Sequence, residues 1–321
     1  MVYKQTKLRD WISLSNLNWT QLSNNTNAIE LLKANPDKID WYILSQNKNA
    51  IDIIKNNLEK INWARLSENA AAIEILKENF EKINWYLLSY NINAIELLKA
   101  NPEKINWNIL SQNKNAIELL KTNQEKINWI YLSSNQNAIE IIKENFEKIN
   151  WNYLSYNLNA IELLKANPEK INWNILSANK NAIELLKANP EKINWNYLSE
   201  NENKKAIDLL KTNPDKIDWD NLSNNPNAIE LLKANLEKID WDYLSDNPNA
   251  IEILEENQDN IDWFMISLNP SIFTYDYELI HENFKELGEE IIQKALHPKR
   301  MLRLMEEYGE DEIYKCYFNE D

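Results

Sequence analysis

The side chains best suited to chemistry are scarce and poorly spaced for it. The chain holds two histidines, His281 and His297, and one cysteine, Cys316. Neither histidine stands in an H-x-x-x-H pattern and no C-x-x-C is possible, so no metal site is expected. Two glycines cannot build a phosphate-cradling loop. A Ser-His-Asp site needs one distinguished serine, and none stands apart from its neighbours. A Cys316–His297 pair is conceivable, but a lone cysteine near a C-terminus is more often inert. The expectation is a protein that is not an enzyme and carries no cofactor. One cysteine also allows no intramolecular disulfide, which suits a reducing compartment. Asparagine and tryptophan are another matter, because they recur at fixed intervals. Asn91, Asn113, Asn135, Asn157 and Asn179 form one column that could in principle bind a repeating ligand. The Trp column could stack bases or sugars. Both are better explained by what they would do for the backbone and the core.

The elements that must position these columns come from a repeat. Trp19, Trp41, Trp63, Trp85, Trp107, Trp129, Trp151, Trp173 and Trp195 follow one another at 22-residue spacing. The step to Trp219 is 24, and the 22-residue spacing resumes at Trp241 and Trp263. A fixed period in this range means a stacked repeat. Residues 151–172 hold two short helical segments. One runs from Asn159 to Ala166, with Asn159 and Glu162 at capping-box spacing. Glu162 and Lys165 can pair weakly on its solvent side. Asn167 suits a left-handed C-cap, and Pro168 cannot continue the helix. The other starts behind Asn150, a good N-cap by residue type, with Trp151 and Leu154 on one side. Helices this short need packing to persist. The unit is too short for ankyrin, TPR or HEAT repeats, and it lacks the strand of a leucine-rich repeat.

The predicted fold is therefore all-α: a solenoid or superhelix of about eleven 22-residue two-helix repeats. At ~8–10 Å between packed helices it would be a rod on the order of 100 Å long. The predicted organisation is an N-terminal cap over residues 1–18 and the array over 19–271. A degenerate last repeat with a helical cap occupies 272–321. Trp11 and Leu14 are expected to cover the open N-terminal end. The two extra residues in Glu200–Lys205 fall in a connection, where insertions are tolerated. Helical apolar spacing returns in 282–287, 289–296 and 299–308, with His297-Pro298 as a break.

Charge narrows the partners. The formal net charge is −15 and no long basic run exists, so neither nucleic acid nor an anionic membrane surface is expected as a partner. No run nears the ~18 apolar residues of a membrane span. Met1–Lys7 is followed by no apolar core of signal-peptide length. An intracellular, soluble, acidic protein is expected.

The frame W-x-x-L-S-x-N-x-N-A-I-x-L-L-x-x-N-x-x-x-I-[ND] resembles the short tandem repeats of uncharacterised proteins from giant nucleocytoplasmic large DNA viruses. Residues 11–19 resemble the segment that opens those arrays, and Ala295–Arg300 resembles a short motif near their C-termini. The resemblance covers residues 11 to about 300. It implies a viral origin and a place in the host cytoplasm or the virion; it implies no activity and no site residues.

Positions that vary inside the fixed frame are the ones left to meet a partner. One column directly follows the Trp and includes Tyr42, Tyr86 and Ile130. A second, two after the Leu, includes Tyr90 and Tyr156. A third holds Ile92 and Leu158. Exposed aromatic and aliphatic groups of this kind suit an interaction hot spot. The expected function is a non-enzymatic scaffold that binds protein partners through an extended surface, as a monomer. The alternative is a virion component that assembles laterally with itself.

Overall fold

The structure, a computed structural model, describes residues 6–309; Cys316 lies outside the described residues. The chain is an all-α repeat solenoid with a period of roughly 22 residues, and it divides into two compact units. One is the array, Leu8–Phe273; among the described residues the other holds Thr6, Lys7 and 274–309.

Each repeat has three short pieces. In the central copy these are Trp151–Tyr156, Ile161–Lys165 and a 3-10 turn, Pro168–Lys170. The Trp helix is capped as its sequence requires: the side chain of Asn150 accepts from the Tyr153 N–H at 3.1 Å. The second helix is not capped as expected. Its N-cap is Ala160, which has no side chain to offer. Asn159 instead donates to the carbonyl of Gln136, in the preceding repeat, at 2.9 Å. Asn167 does not adopt a left-handed conformation; its side chain bonds the Leu163 carbonyl, at 2.9 Å, and satisfies the helix end directly. Among the described residues only Gly309 has positive φ. The chain needs almost no glycine because asparagine side chains close its turns.

Leu154, Ala160 and Leu164 are fully or almost fully buried and Ile171 nearly so, and their counterparts form one continuous core along the array. The Trp side chains are half-buried against that core rather than enclosed in it. The lysine of the 3-10 turn covers the open face of its own repeat's Trp, as Lys148 does over Trp129 at 4.6 Å. Such a contact is worth ~0.5–1 kcal/mol at an exposed site. Where the turn's proline is replaced by phenylalanine, the new ring packs edge-on against the next Trp: Phe80 on Trp85 at 5.2 Å, Phe146 on Trp151 at 5.4 Å.

A polar ladder runs through this apolar core. Ser155 donates to the Trp151 carbonyl (2.9 Å) and accepts from the backbone N–H of Asn172 in the next repeat (3.1 Å). The amide of Asn157 donates to the carbonyls of Ser133 (3.1 Å) and Asn135 (2.9 Å) one repeat back. Its oxygen accepts from the Asn159 N–H at 3.0 Å. Both side chains are wholly buried and fully partnered, which is what buried polar groups need.

The same ladder joins the last repeat to the first. The Asn18 N–H donates to Ser267 Oγ at 2.8 Å, the bond that Asp40 makes to Ser23 at 3.0 Å. The Asn25 amide donates to the carbonyls of Ser267 (3.1 Å) and Asn269 (3.0 Å), as Asn47 does to Ser23 and Asn25. Asn27 reaches the Pro270 carbonyl at 2.9 Å, as Asn49 reaches Thr26 at 2.8 Å. Arg9 adds two bonds across the seam, backbone to Ile272 (2.9 Å) and Nε to Ser271 (2.8 Å). The solenoid is therefore a closed ring, and the expected open rod is corrected.

Closure is achieved with a split repeat. Trp263–Phe273 supply the front of the twelfth copy, and Leu14–Asn18, with their own 3-10 turn, supply its tail and lead into Trp19. Residues 8–18 thus belong to the array unit. Trp11 packs against the core, but there is no open end for it to cover. Strand β1 (Thr6–Leu8) pairs with strand β2 (Phe273–Tyr275) beside the seam.

The two inserted residues do not lengthen a connection. Asn203 keeps the role of Asn159, and Lys204 and Lys205 extend the helix behind it to Lys204–Lys211. In the other unit the expected breaks reduce to one. Tyr277–Ala295 is a single helix that passes through Gly288, and Pro298–Tyr308 is a second, N-capped by His297.

Candidate partner-binding face

Neighbouring Trp helices approach each other more closely around the ring than the Ile-Glu-Leu-Leu helices do. In a closed circle the more closely spaced layer is the inner one. Twelve helices at ~8–10 Å give an inner circle ~35 Å across between axes. Subtracting ~10 Å for helix thickness leaves an opening on the order of 25 Å, wide enough for an extended peptide or a single helix.

Leu154 and Ser155 are buried in the wall and Trp151 packs against it, so the exposed positions of this inner layer are those of Asn152, Tyr153 and Tyr156. Two of these are the first and second variable columns, which carry half of the exposed aromatics of the array. Tyr42, Tyr86, Ile130 and Tyr156 are about half exposed, at 48%, 53%, 46% and 52%. Tyr86 meets Tyr90 edge-on, 6.5 Å between ring centres, one helical turn apart. Burial and the nearby Tyr86 raise the Tyr90 phenol above its ordinary pKa. Tyr90 and Ile92 line a groove of about 320 Å³ with Gln112 and Lys114. Leu158 lines a second groove, of about 370 Å³, with Lys180, Glu200 and Glu202. Ile92 and Leu158 are half-buried. The seven residues share one face, but only Tyr86, Tyr90 and Ile92, and separately Tyr156 and Leu158, lie within single repeats.

One column escaped the sequence reading. The position two after the Trp holds Tyr153, Tyr197 and Tyr243, exposed at 38%, 38% and 47%. The same column holds Ile109, which is buried, so its mixture of tyrosine and aliphatic residues reads as core. Tyr131 and Tyr153, from adjacent repeats, meet edge-on at 6.3 Å. Arg65, in this column, lies 4.7 Å over the Tyr42 ring of the previous repeat and 3.9 Å from Glu68. This contact shows which columns converge: the first of one repeat with the new and second columns of the next.

Charge is unevenly spread on this face. Glu200, Asp220, Asp242 and Asp246 fall within three successive repeats, and none makes an ion pair among the described residues. Burial raises the Asp246 carboxyl above the usual range; burial and then Asp218 do so for Glu200. No group of three His, Cys, Asp or Glu among the described residues is placed to hold a metal. No described helix is long and apolar enough to cross a membrane.

No protein-family model, curated protein or solved structure matches this chain.

Proposed function

We propose that the protein is a non-enzymatic ring scaffold that binds a protein partner on its inner face. One observation carries this reading. The fixed residues are consumed by the wall, as core or as ladder, while the variable columns gather on one concave, tyrosine-rich surface. Tyrosine supplies large contact area at low entropic cost, and concave repeat surfaces suit extended partners. The acidic charge favours a protein over nucleic acid or an anionic membrane. In keeping with the repeat resemblance, we propose a viral protein of the host cytoplasm or the virion.

The test replaces Tyr86, Tyr90 and Ile92 together by Asn, Gln and Lys, the residues of the next copy. The frame accepts these residues at Asn108, Gln112 and Lys114, so the melting temperature should stay within a few degrees. Capture of partners from host-cell lysate, read by mass spectrometry, should weaken at least tenfold. A folded variant that captures the same partners at full strength removes this patch from the binding face.

A further inference from the structure

The ring contains its own example of an occupied inner-face junction. Arg65 lies over the ring of Tyr42 of the preceding repeat, at 4.7 Å, with its guanidinium 3.9 Å from Glu68. Glu68 is also fixed by Gln46 at 3.4 Å. An aromatic ring and a carboxylate thus cradle one arginine where three columns meet. The ring repeats that meeting point around its circumference.

Moving along the same columns to repeats ten and eleven, the three positions hold Asp220, Tyr243 and Asp246. Here the arginine's place is taken by a tyrosine, 47% exposed, and both flanking positions are carboxylates. Two junctions earlier, Tyr197 and Glu200 occupy the corresponding places beside Asn174, and the junction between holds only Asn196, Asn221 and Asn224. Asp242 opens the junction that follows. Lys180, which shares a groove with Glu200, is held by Glu202 at 3.0 Å. The arc therefore presents aromatic faces and unpaired carboxylates but no guanidinium.

We propose that this arc of the inner face, from Glu200 to Asp246, binds an extended peptide segment that carries arginines. Each guanidinium would stack on a tyrosine and meet a carboxylate, as Arg65 does within the ring. Arginine suits such a place better than lysine, because its planar fork both stacks and bonds a carboxylate. Spacing sharpens the partner further. Neighbouring junctions stand ~8–10 Å apart if set by helix packing, and an extended chain advances ~3.3 Å per residue. The two tyrosine–carboxylate junctions stand two such steps apart, so arginines about six residues apart would meet both. This inference rests on the inner face being the binding face and names the chemistry of its partner.

The probe is a fluorescein-labelled peptide of Arg followed by five Ser, repeated three times, titrated with the full chain and read by fluorescence anisotropy. A second peptide of the same composition has its arginines in one block, and a third has lysine for arginine. The inner-face variant is Asp220→Asn, Asp242→Asn, Asp246→Asn. The control, Glu118→Gln, Glu140→Gln, Glu162→Gln, removes as much charge from the outer helices, where these residues pair only with Lys121, Lys143 and Lys165. Circular dichroism melting confirms that both variants are folded. The spaced peptide should bind wild type at least threefold more tightly than the block or lysine peptide. The inner variant should weaken it at least tenfold, and the outer variant by less than twofold. No binding by wild type overturns the proposal, as does equal weakening by both variants, which would mean general attraction to an acidic protein. The Tyr86, Tyr90 and Ile92 substitutions do not touch this arc. Their effect on partner capture therefore judges the inner face itself, whatever the arginine peptide does.

Discussion

At the scale of single residues, the asparagine and serine columns were legible as structural, as helix caps or as bonds between stacked copies, but not in which residue does which. Residue type pointed to helix caps; the structure uses Asn157 to bond two carbonyls of its neighbour and one N–H of its own repeat. No sequence rule separates a local cap from a bond to the next copy, because both need the same short amide. Replacing Asn157 by Ala leaves the Ser133 carbonyl and the Asn159 N–H without partners, while the Asn135 carbonyl keeps only the Ala138 N–H. At ~1–3 kcal/mol for each such group, with partial relaxation, the expected loss is about 3 kcal/mol, measured by urea unfolding. A loss below ~1 kcal/mol would mean the ladder is incidental to the core. Asp246 gives a pH prediction. Burial raises its folded-state pKa above the unfolded value, so between the two the folded state binds more protons. Stability contributed by this site is then present at low pH and lost as pH rises through the folded pKa. Asp246→Asn should raise the unfolding midpoint at neutral pH, and the gain should vanish as pH falls below the ordinary carboxylate range. A gain independent of pH would contradict burial as the cause.

At the scale of elements, the period, the two helices and the Asn cap before each Trp could all be read in advance. Repetition averages out local ambiguity: one copy is a weak signal, while many copies in register leave few folds. The 3-10 turn and the half-exposed Trp were not legible, because an apolar residue of fixed spacing reads as fully buried. Lys170 lies over Trp151 at 5.9 Å, on its open face. Trp151→Ala should therefore cost about 3 kcal/mol, the low end for a large aromatic. Hydrogen-exchange protection should fall first in the repeats on either side, as stability in a stack is carried between neighbours. A uniform fall around the ring would instead mean that the ring unfolds as one unit. The inserted Lys204 and Lys205 extend a helix outward and carry no ladder bond to another repeat through their side chains; Lys205 pairs with the exposed Glu184 at 2.7 Å. Deleting both residues restores the common spacing and should shift the melting temperature by no more than a few degrees. A large drop would show that the longer helix relieves a misfit in the ring.

At the scale of the array, closure was hidden from the sequence for a physical reason. The seam repeat is divided between the two ends of the array, and each part alone resembles a degenerate cap. Leu14–Asn18 lack the Glu-Lys signature, and Ser271–Phe273 lack the Asn-Ala-Ile of the other copies, so periodicity fades where the ends meet. What survives is the minimum the ladder needs: Asn18 and Asn25 on one side, Ser267 and Asn269 on the other. Closure also bears on the proposed function, since it turns a long open surface into an enclosed one and fixes the spacing of its junctions. The most direct test is Förster transfer between short-range dyes, whose characteristic transfer distance is less than the width of the opening, on cysteines in a Cys316→Ser background. Three pairs are compared: Thr20 with Phe264 across the seam, Asn152 with Asn174 in adjacent repeats, and Thr20 with Asn152 on opposite sides. All four positions lie in the exposed column after the Trp. A closed ring predicts equal, near-complete transfer for the first two pairs and clearly lower transfer for the third. If the seam pair instead shows the least transfer of the three, the array is open and the ring is contradicted.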